Sequence, residues 1–149
     1  MKKIILIALL FCSVNTLAQN DGPQKMIDDF FNTYKARGAD AALDYIFGTN
    51  KWTRDSKDQI DNVKFKLNGT IKLLGEYFGY ELITKKTFGQ HISLYTFIVR
   101  YDRQPLRFTF LYYKPDSEWR FQNFSYDYNF PEELEESSKP YRLKENLAH

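Results

Sequence analysis

The chain has 149 residues, which suits one domain with a single core and leaves no room for a catalytic pair of domains. It contains 13 Phe, 11 Tyr and 2 Trp, so aromatic side chains should dominate that core. The formal net charge is only +2 at neutral pH, far from the strongly basic balance that is typical of nucleic-acid-binding proteins.

The start of the chain predicts a secretory signal peptide. Lys2 and Lys3 form its positive end, residues 4–11 its apolar stretch and residues 16–18 a small-residue cleavage site. The apolar stretch is too short to span a membrane. An alternative is a lipoprotein signal that uses Cys12 as the acylated residue. We therefore expect an exported protein, either periplasmic or extracellular.

Removal of residues 1–18 would change the composition. The net charge would fall to zero, because loss of two lysines leaves 19 basic and 19 acidic residues, and no nucleic-acid partner is expected. No cysteine would remain, and the two histidines, His91 and His149, are far apart, so we expect no metal site. The sequence also lacks the phosphate-loop and dinucleotide motifs, and no cofactor is expected.

Apolar residues recur at helical spacing in the first half of the domain and alternate in the second half. The predicted helices cover residues 22–38, 40–47 and 56–74. The predicted strands cover residues 76–87, 91–102, 106–114 and 119–128. Helices followed by strands indicate an α+β domain, residues 22–130, with the helices packed on one face of an antiparallel sheet of about four strands. Residues 131–149 form a charged tail, to which no function is assigned.

Three turns determine the register of the predicted sheet. Two-residue loops at 88–89 and 103–104 and a four-residue turn at 115–118 are mutually consistent. They place Leu82 opposite Tyr95, Phe97 opposite Phe110, and Tyr112 opposite Phe121. Since successive strand residues point to opposite sides, this register sorts the side chains into an inner face and an outer face.

The order of elements and two sequence stretches resemble a known superfamily. The stretches are residues 103–108, Arg-Gln-Pro-Leu-Arg-Phe, and residues 112–124, with a Lys-Pro turn before Trp119. The chain is similar there to small exported bacterial proteins of the NTF2-like (cystatin-like fold) superfamily. The resemblance implies a curved sheet wrapped round a helix, which forms a cone with a lumen, and it implies dimerisation through the outer sheet face. Proteins with such a fold have many different functions, so the fold alone does not indicate which function this chain has.

The predicted inner face carries aromatic residues that give way to polar ones at the end of the last strand. We interpret this transition as a pocket for a small apolar or aromatic ligand, in which rings supply contact area and polar groups orient the ligand. The alternative is that the aromatic side chains only fill the core. The candidate pocket residues are Tyr80, Tyr95, Tyr101, Tyr112, Trp119, Asn123, Ser125 and Asp127.

The predicted outer face mixes tyrosine, arginine and aliphatic side chains. Such residues are enriched where proteins bind proteins, so a homodimer through this face is expected. The alternative is a solvated face with a few apolar residues. The candidate interface residues are Tyr77, Ile83, Leu94, Arg100, Arg107, Tyr113, Arg120 and Tyr126.

These features lead to a non-catalytic, exported module that binds a small ligand or a protein partner. One alternative is an isomerase or dehydratase, with Asp127 as the general base and a tyrosine across the cavity as donor to the oxyanion. Enzymatic members of the resembling superfamily hold an Asp or His base in the cone, and no His–Asp dyad can be assigned in this sequence. A second alternative is an inhibitor or immunity-type protein that acts through its surface.

Overall fold

The computed structural model describes residues 22–139, and the predicted signal peptide lies outside this range. The helices are α1 Pro23–Arg37, α2 Ala39–Gly48, α3 Lys51–Arg54, α4 Lys57–Leu74 and α5 Phe130–Ser137. The strands are β1 Tyr77–Phe88, β2 Ile92–Tyr101, β3 Leu106–Tyr113 and β4 Arg120–Asp127. The predicted α+β class is confirmed, because α1 to α4 precede a curved antiparallel sheet with the strand order β1-β2-β3-β4.

Helix α1 forms for the reasons that its sequence suggests. Pro23 stands in its first turn, and Gly38 ends it with a φ of 87° and a backbone N–H that donates to the Tyr34 carbonyl at 2.9 Å. Its apolar stripe, which includes Phe30 and Phe31, is buried. The predicted helices that correspond to α2 and α4 are also present within a residue or two of their expected bounds.

The short helix α3 was not predicted. Asn50 caps it, because the side-chain Oδ1 accepts a hydrogen bond from the Trp52 backbone N–H at 3.0 Å. The same side chain is buried and donates from Nδ2 to the Phe121 carbonyl of β4 at 2.6 Å. One asparagine therefore ties the helical layer to the edge of the sheet.

The register between β2 and β3 differs from the predicted one by two residues. The connection occupies residues 102–105 rather than two residues, so Phe97 lies opposite Phe108 and Tyr95 lies opposite Phe110. A shift of two residues preserves the face on which each side chain lies. The inner faces of β2 and β3 are accordingly buried as expected.

The pairing of β1 with β2 also departs from prediction. The turn takes the three residues 89–91, and bulges interrupt the ladder between Tyr77 and Gly79 and between Leu82 and Thr84. Leu82 therefore lies opposite Phe97 and not opposite Tyr95. Each bulge adds one residue to β1 and changes which side chains face inward beyond it.

A third bulge, in β4, overturns the predicted faces of that strand. Tyr112 lies opposite Phe121 as expected, but Leu111 then lies opposite Asn123, so one residue of β4 is left over between them. Beyond this bulge Phe124 points inward and is 5% exposed. The placement of Asn123, Ser125 and Asp127 on the inner face is therefore wrong; they lie on the outer face.

Two glycines of α4 and its C-terminal end allow a test of the backbone conformation at that helix end. Gly75 ends α4 with a φ of 85°, and a Cβ there would lie 3.0 Å from Cβ of Asp102. Gly69 is exposed in the middle of α4, and no heavy atom would lie within 4 Å of its Cβ. We expect Gly75→Ala to lower the free energy of unfolding by about 1–3 kcal/mol. Alanine at this position would be strained by the positive φ and by the close contact of its Cβ with Asp102.

The control, Gly69→Ala, should raise the free energy of unfolding by up to about 1 kcal/mol, because alanine is the better helix former. Urea unfolding of the two variants and the parent measures both changes. Equal stability of the Gly75→Ala variant and the parent would contradict the tight helix end.

Candidate functional site

An open cleft of about 800 Å³ lies between α1, the end of α4 and the start of β1. Its aromatic lining consists of Phe31, Tyr34, Tyr77, Phe78, Tyr80 and Tyr101. Its polar lining consists of Asn32, Lys35, Asn68, Glu76 and Arg100. The cleft thus combines aromatic and polar side chains, both of which occur in small-molecule sites.

The best-defined polar feature of the cleft is a pair of hydroxyl groups. Tyr34 Oη and Tyr101 Oη form a hydrogen bond, and both side chains are 6% exposed. Burial raises the pKa of Tyr34 and raises the pKa of Tyr101 to about 12. Both phenols are therefore neutral at physiological pH. Because one hydroxyl donates to the other, the accepting phenol keeps its own proton available for another acceptor.

Aromatic packing fixes the walls of the cleft. The Tyr80 ring stacks on Phe31 with centroids 3.6 Å apart and the ring planes within 7° of parallel. The Tyr77 ring lies 5.0 Å from that of Tyr34 and 5.9 Å from that of Tyr101. These contacts connect the walls to the core, so the site is largely preformed.

Gly79 shapes the rim of the cleft at the first bulge of β1. It has a φ of 134°, and a Cβ there would lie 3.1 Å from Nη2 of Arg100. Only glycine lets the Arg100 side chain lie this close to the strand without a shift. Arg100 also forms an ion pair with Glu81, with Nε 3.3 Å from Oε1. The rim therefore carries an ordered cation beside the exposed Lys35.

Only some of the predicted pocket residues lie at this cleft. Tyr80 and Tyr101 line it, whereas Tyr95 and Tyr112 are 2% and 0% exposed in the core. Trp119 packs against the core, and Lys114 Nζ lies 5.3 Å from the centre of its ring. The structure therefore brings two of the predicted tyrosines to a cleft and places the others in the core.

Tyr112 has an unusual environment. Its hydroxyl is buried and has no hydrogen-bond partner within the part of the chain that the structure describes. Burial raises the pKa of this phenol, so it stays protonated. The same description applies to Ser93, which lies opposite Tyr112 in the ladder and has a buried hydroxyl without a partner among residues 22–139.

The polar end of the predicted pocket is not formed. Asp127 lies on the outer face, where Arg107 binds both of its carboxylate oxygens at 3.1 and 2.9 Å. Neither Asp127, Asn123 nor Ser125 lines the described cleft. Asp127 therefore does not lie where the isomerase or dehydratase alternative required it.

The candidate interface residues do not all lie on the outer face. Arg100 lies opposite Gly79, and Arg107 lies opposite Ile98 on one side and Asp127 on the other. Tyr77 and Tyr126 lie opposite the buried residues Tyr101 and Phe108, on the inner side. The remaining members, Ile83, Leu94, Tyr113 and Arg120, are at least partly exposed. Dimerisation through this face stays a prediction.

Arg107 connects the outer face of the sheet to the region after it. In addition to Asp127 it binds Glu133 of α5, with Nη1 2.6 Å from Oε2. The guanidinium holds the pKa of the Glu133 carboxyl below its usual value. The first part of the predicted charged tail thus forms a two-turn helix that is attached to the sheet by an ion pair.

Sequence reasoning missed the position of the cleft but not all of its residues. Tyr34 belongs to the buried apolar stripe of α1, and its role at the cleft depends on contact with Tyr101, 67 residues away in the sequence. Phe78 lines the cleft and is 55% exposed. A glycine inside an alternating strand, as at Gly79, was the one available signal of a bulge.

The fold and site together define an α+β domain whose helices and curved sheet enclose an aromatic cleft. Comparisons with protein-family models, curated proteins and solved structures found no match to this chain. Within residues 22–139 no helix is long and apolar enough to cross a membrane. In the same range no three His, Cys, Asp or Glu side chains are grouped so as to hold a metal ion.

The hydroxyl pair predicts an alkaline loss of stability. The folded pKa of Tyr101, about 12, exceeds the value of about 10 for an unfolded tyrosine, so the folded state retains this proton more tightly. The stabilisation is complete below pH 10 and is lost as the pH rises toward 12. We expect the free energy of unfolding to fall across this interval. The double variant Tyr34→Phe/Tyr101→Phe should show a smaller decrease.

Urea unfolding between pH 8 and 11.5, with ultraviolet titration of the phenols, measures this dependence. Tyr128→Phe removes a hydroxyl from a side chain that is 56% exposed and is the matched control. The same decrease in the parent and in the double variant would show that the buried pair does not couple to folding.

Proposed function

We propose that this protein is an exported, non-catalytic module that binds a small, flat, aromatic or apolar molecule in the cleft between α1, α4 and β1. The observation that carries the proposal is the open, aromatic cleft with the Tyr34–Tyr101 hydroxyl pair. Its volume of about 800 Å³ lies in the range of small-ligand sites.

The lining indicates the chemistry of the ligand. Tyr77 and Phe78 offer ring faces and edges to a flat molecule. The neutral Tyr34–Tyr101 pair can give or accept a hydrogen bond, which favours a ligand with one hydroxyl or carbonyl group. Lys35 and Arg100 favour an anionic substituent at the exposed end of the ligand.

Two sequence features support the wider context of the proposal. The pattern of residues 1–18 is that of a signal peptide, which favours a role outside the cytoplasm. The resemblance to the NTF2-like superfamily supports a ligand-binding role, since a curved sheet around a helix provides a lumen. The alternative of an inhibitor or immunity-type protein stays a prediction. The open cleft supports the ligand-binding function instead.

Binding of 2-naphthol, a flat aromatic probe with one hydroxyl, tests the proposal. Two-dimensional NMR of the labelled protein should show saturable shifts of backbone amides in α1 and at the start of β1. Phe78→Ala should weaken binding about five- to tenfold, because it removes one aromatic contact from the site. This side chain is 55% exposed, so its removal should leave the fold intact.

The control is Tyr113→Ala, which removes a ring of similar exposure, 42%, from the outer face. This variant should bind 2-naphthol as the parent does. Shifts that do not saturate, or equal losses of affinity in the two variants, would contradict a site at the cleft.

A further inference from the structure

We propose that the free edge of β1 pairs with the same edge of a second copy of this chain, so that two four-stranded sheets continue into one. This assembly is independent of the ligand proposed for the cleft. It also differs from a dimer through the outer sheet face, because the contact is made by backbone hydrogen bonds along one strand.

Strand β1 is long and has one unpaired side. It has 12 residues, pairs only with β2 and stands at the end of the strand order. No backbone hydrogen bond from elsewhere in residues 22–139 reaches this free side between Tyr77 and Phe88. Its second half is exposed at nearly every position. An exposed edge strand of this length is a template for pairing with another strand.

Several exposed side chains of β1 are apolar, although β1 is an edge strand. Phe78, Leu82, Ile83 and Phe88 are 50–82% exposed, and all four belong to this one strand. Exposed apolar side chains on an unpaired edge favour contact with a further strand.

The opposite edge of the sheet is blocked at one position. Asn50 donates a hydrogen bond to the Phe121 carbonyl of β4. The exposed residues of β4 are the polar Gln122, Asn123 and Ser125. One edge is therefore blocked at Phe121 by a buried side chain and has polar exposed residues. The other edge is unpaired and exposes four apolar side chains together with Glu81, Lys85 and Lys86.

The second bulge of β1 determines which self-pairing is possible. Before the bulge Glu81 faces outward, opposite Ile98, and after it Lys86 faces outward, opposite Leu94. Residues opposite each other in an antiparallel pair point to the same side of the sheet. A two-fold axis between Ile83 and Thr84 satisfies this condition, because it places Glu81 of each copy opposite Lys86 of the other.

This register is complementary in charge. Lys86 has no ion-pair partner within the described residues, and Glu81 has only Arg100, through one carboxylate oxygen. The two-fold axis forms the Glu81–Lys86 pair twice. On the inner side it sets Leu82 against the aliphatic stem of Lys85, whose Nζ lies 5.2 Å from the Tyr95 ring of its own chain. Charged lysines on an exposed edge strand normally oppose pairing with another strand. In this dimer Lys86 pairs with Glu81 and the stem of Lys85 contacts Leu82 of the other copy.

Charge reversal tests the register. In Glu81→Lys a lysine at position 81 of each copy lies opposite Lys86 of the other. In Lys86→Glu a glutamate at position 86 of each copy lies opposite Glu81 of the other. Both variants therefore create two like-charge pairs. Each single variant should therefore raise the dimer dissociation constant by roughly tenfold or more. A mixture of the two variants restores both opposite-charge pairs, so it should form a heterodimer of parental affinity. Sedimentation velocity of the purified protein, in the form that the expressing cells accumulate, measures the monomer and dimer fractions at concentrations from 1 to 300 μM.

Lys51→Glu makes the same charge change next to the blocked edge and is the control, with no expected effect on dimerisation. A monomer at every concentration would overturn the inference, and so would a dimer that neither single reversal weakens. A dimer that is lost only in Tyr113→Ala would place the contact on the outer face instead. Binding of 2-naphthol by the same variants shows separately whether the cleft is functional.

Discussion

The packing of two adjacent phenylalanines of α1 against the sheet determines most of this structure. The Phe30 ring lies 5.0 Å from Phe110 and 5.9 Å from Phe124, and the Phe31 ring lies 5.2 Å from Phe97. Two neighbouring residues of a helix reach different strands of a curved sheet, so they hold α1 across it. The cleft lies at the margin of this packing, where Phe31 stacks on Tyr80 beside the unfilled space.

The bulges decide which polar groups meet, because each one exchanges the two faces of the strand beyond it. In β4 the exchange puts Phe124 into the core and sends Asp127 outward to Arg107. In β1 it places Arg100 across Gly79 at the rim of the cleft. The proposed ligand site and the proposed self-pairing edge therefore share one strand, with the cleft at its start and the exposed edge in its second half.

Helices α1, α2 and α4 and the strand order could be predicted because their signals are local. The stripe of α1, the glycines that follow α1 and α4, and the alternation in β2 and β3 are encoded within a few residues of each element. The register of Tyr112 against Phe121 was also correct. The other two turns were longer than expected, so the side chains kept their faces in β3 but changed partners.

By itself the sequence determined the α+β class, the aromatic core and the absence of a strongly basic surface. Only the tertiary structure decided the candidate site, since a single extra residue in a strand reverses its faces and alternation alone does not reveal where that residue falls. The Tyr34–Tyr101 pair shows this, because two apolar-looking positions 67 residues apart become a polar site once α1 crosses the sheet. Burial then raises the pKa of both phenols above the ordinary value for tyrosine, so they stay protonated to higher pH than an exposed tyrosine does.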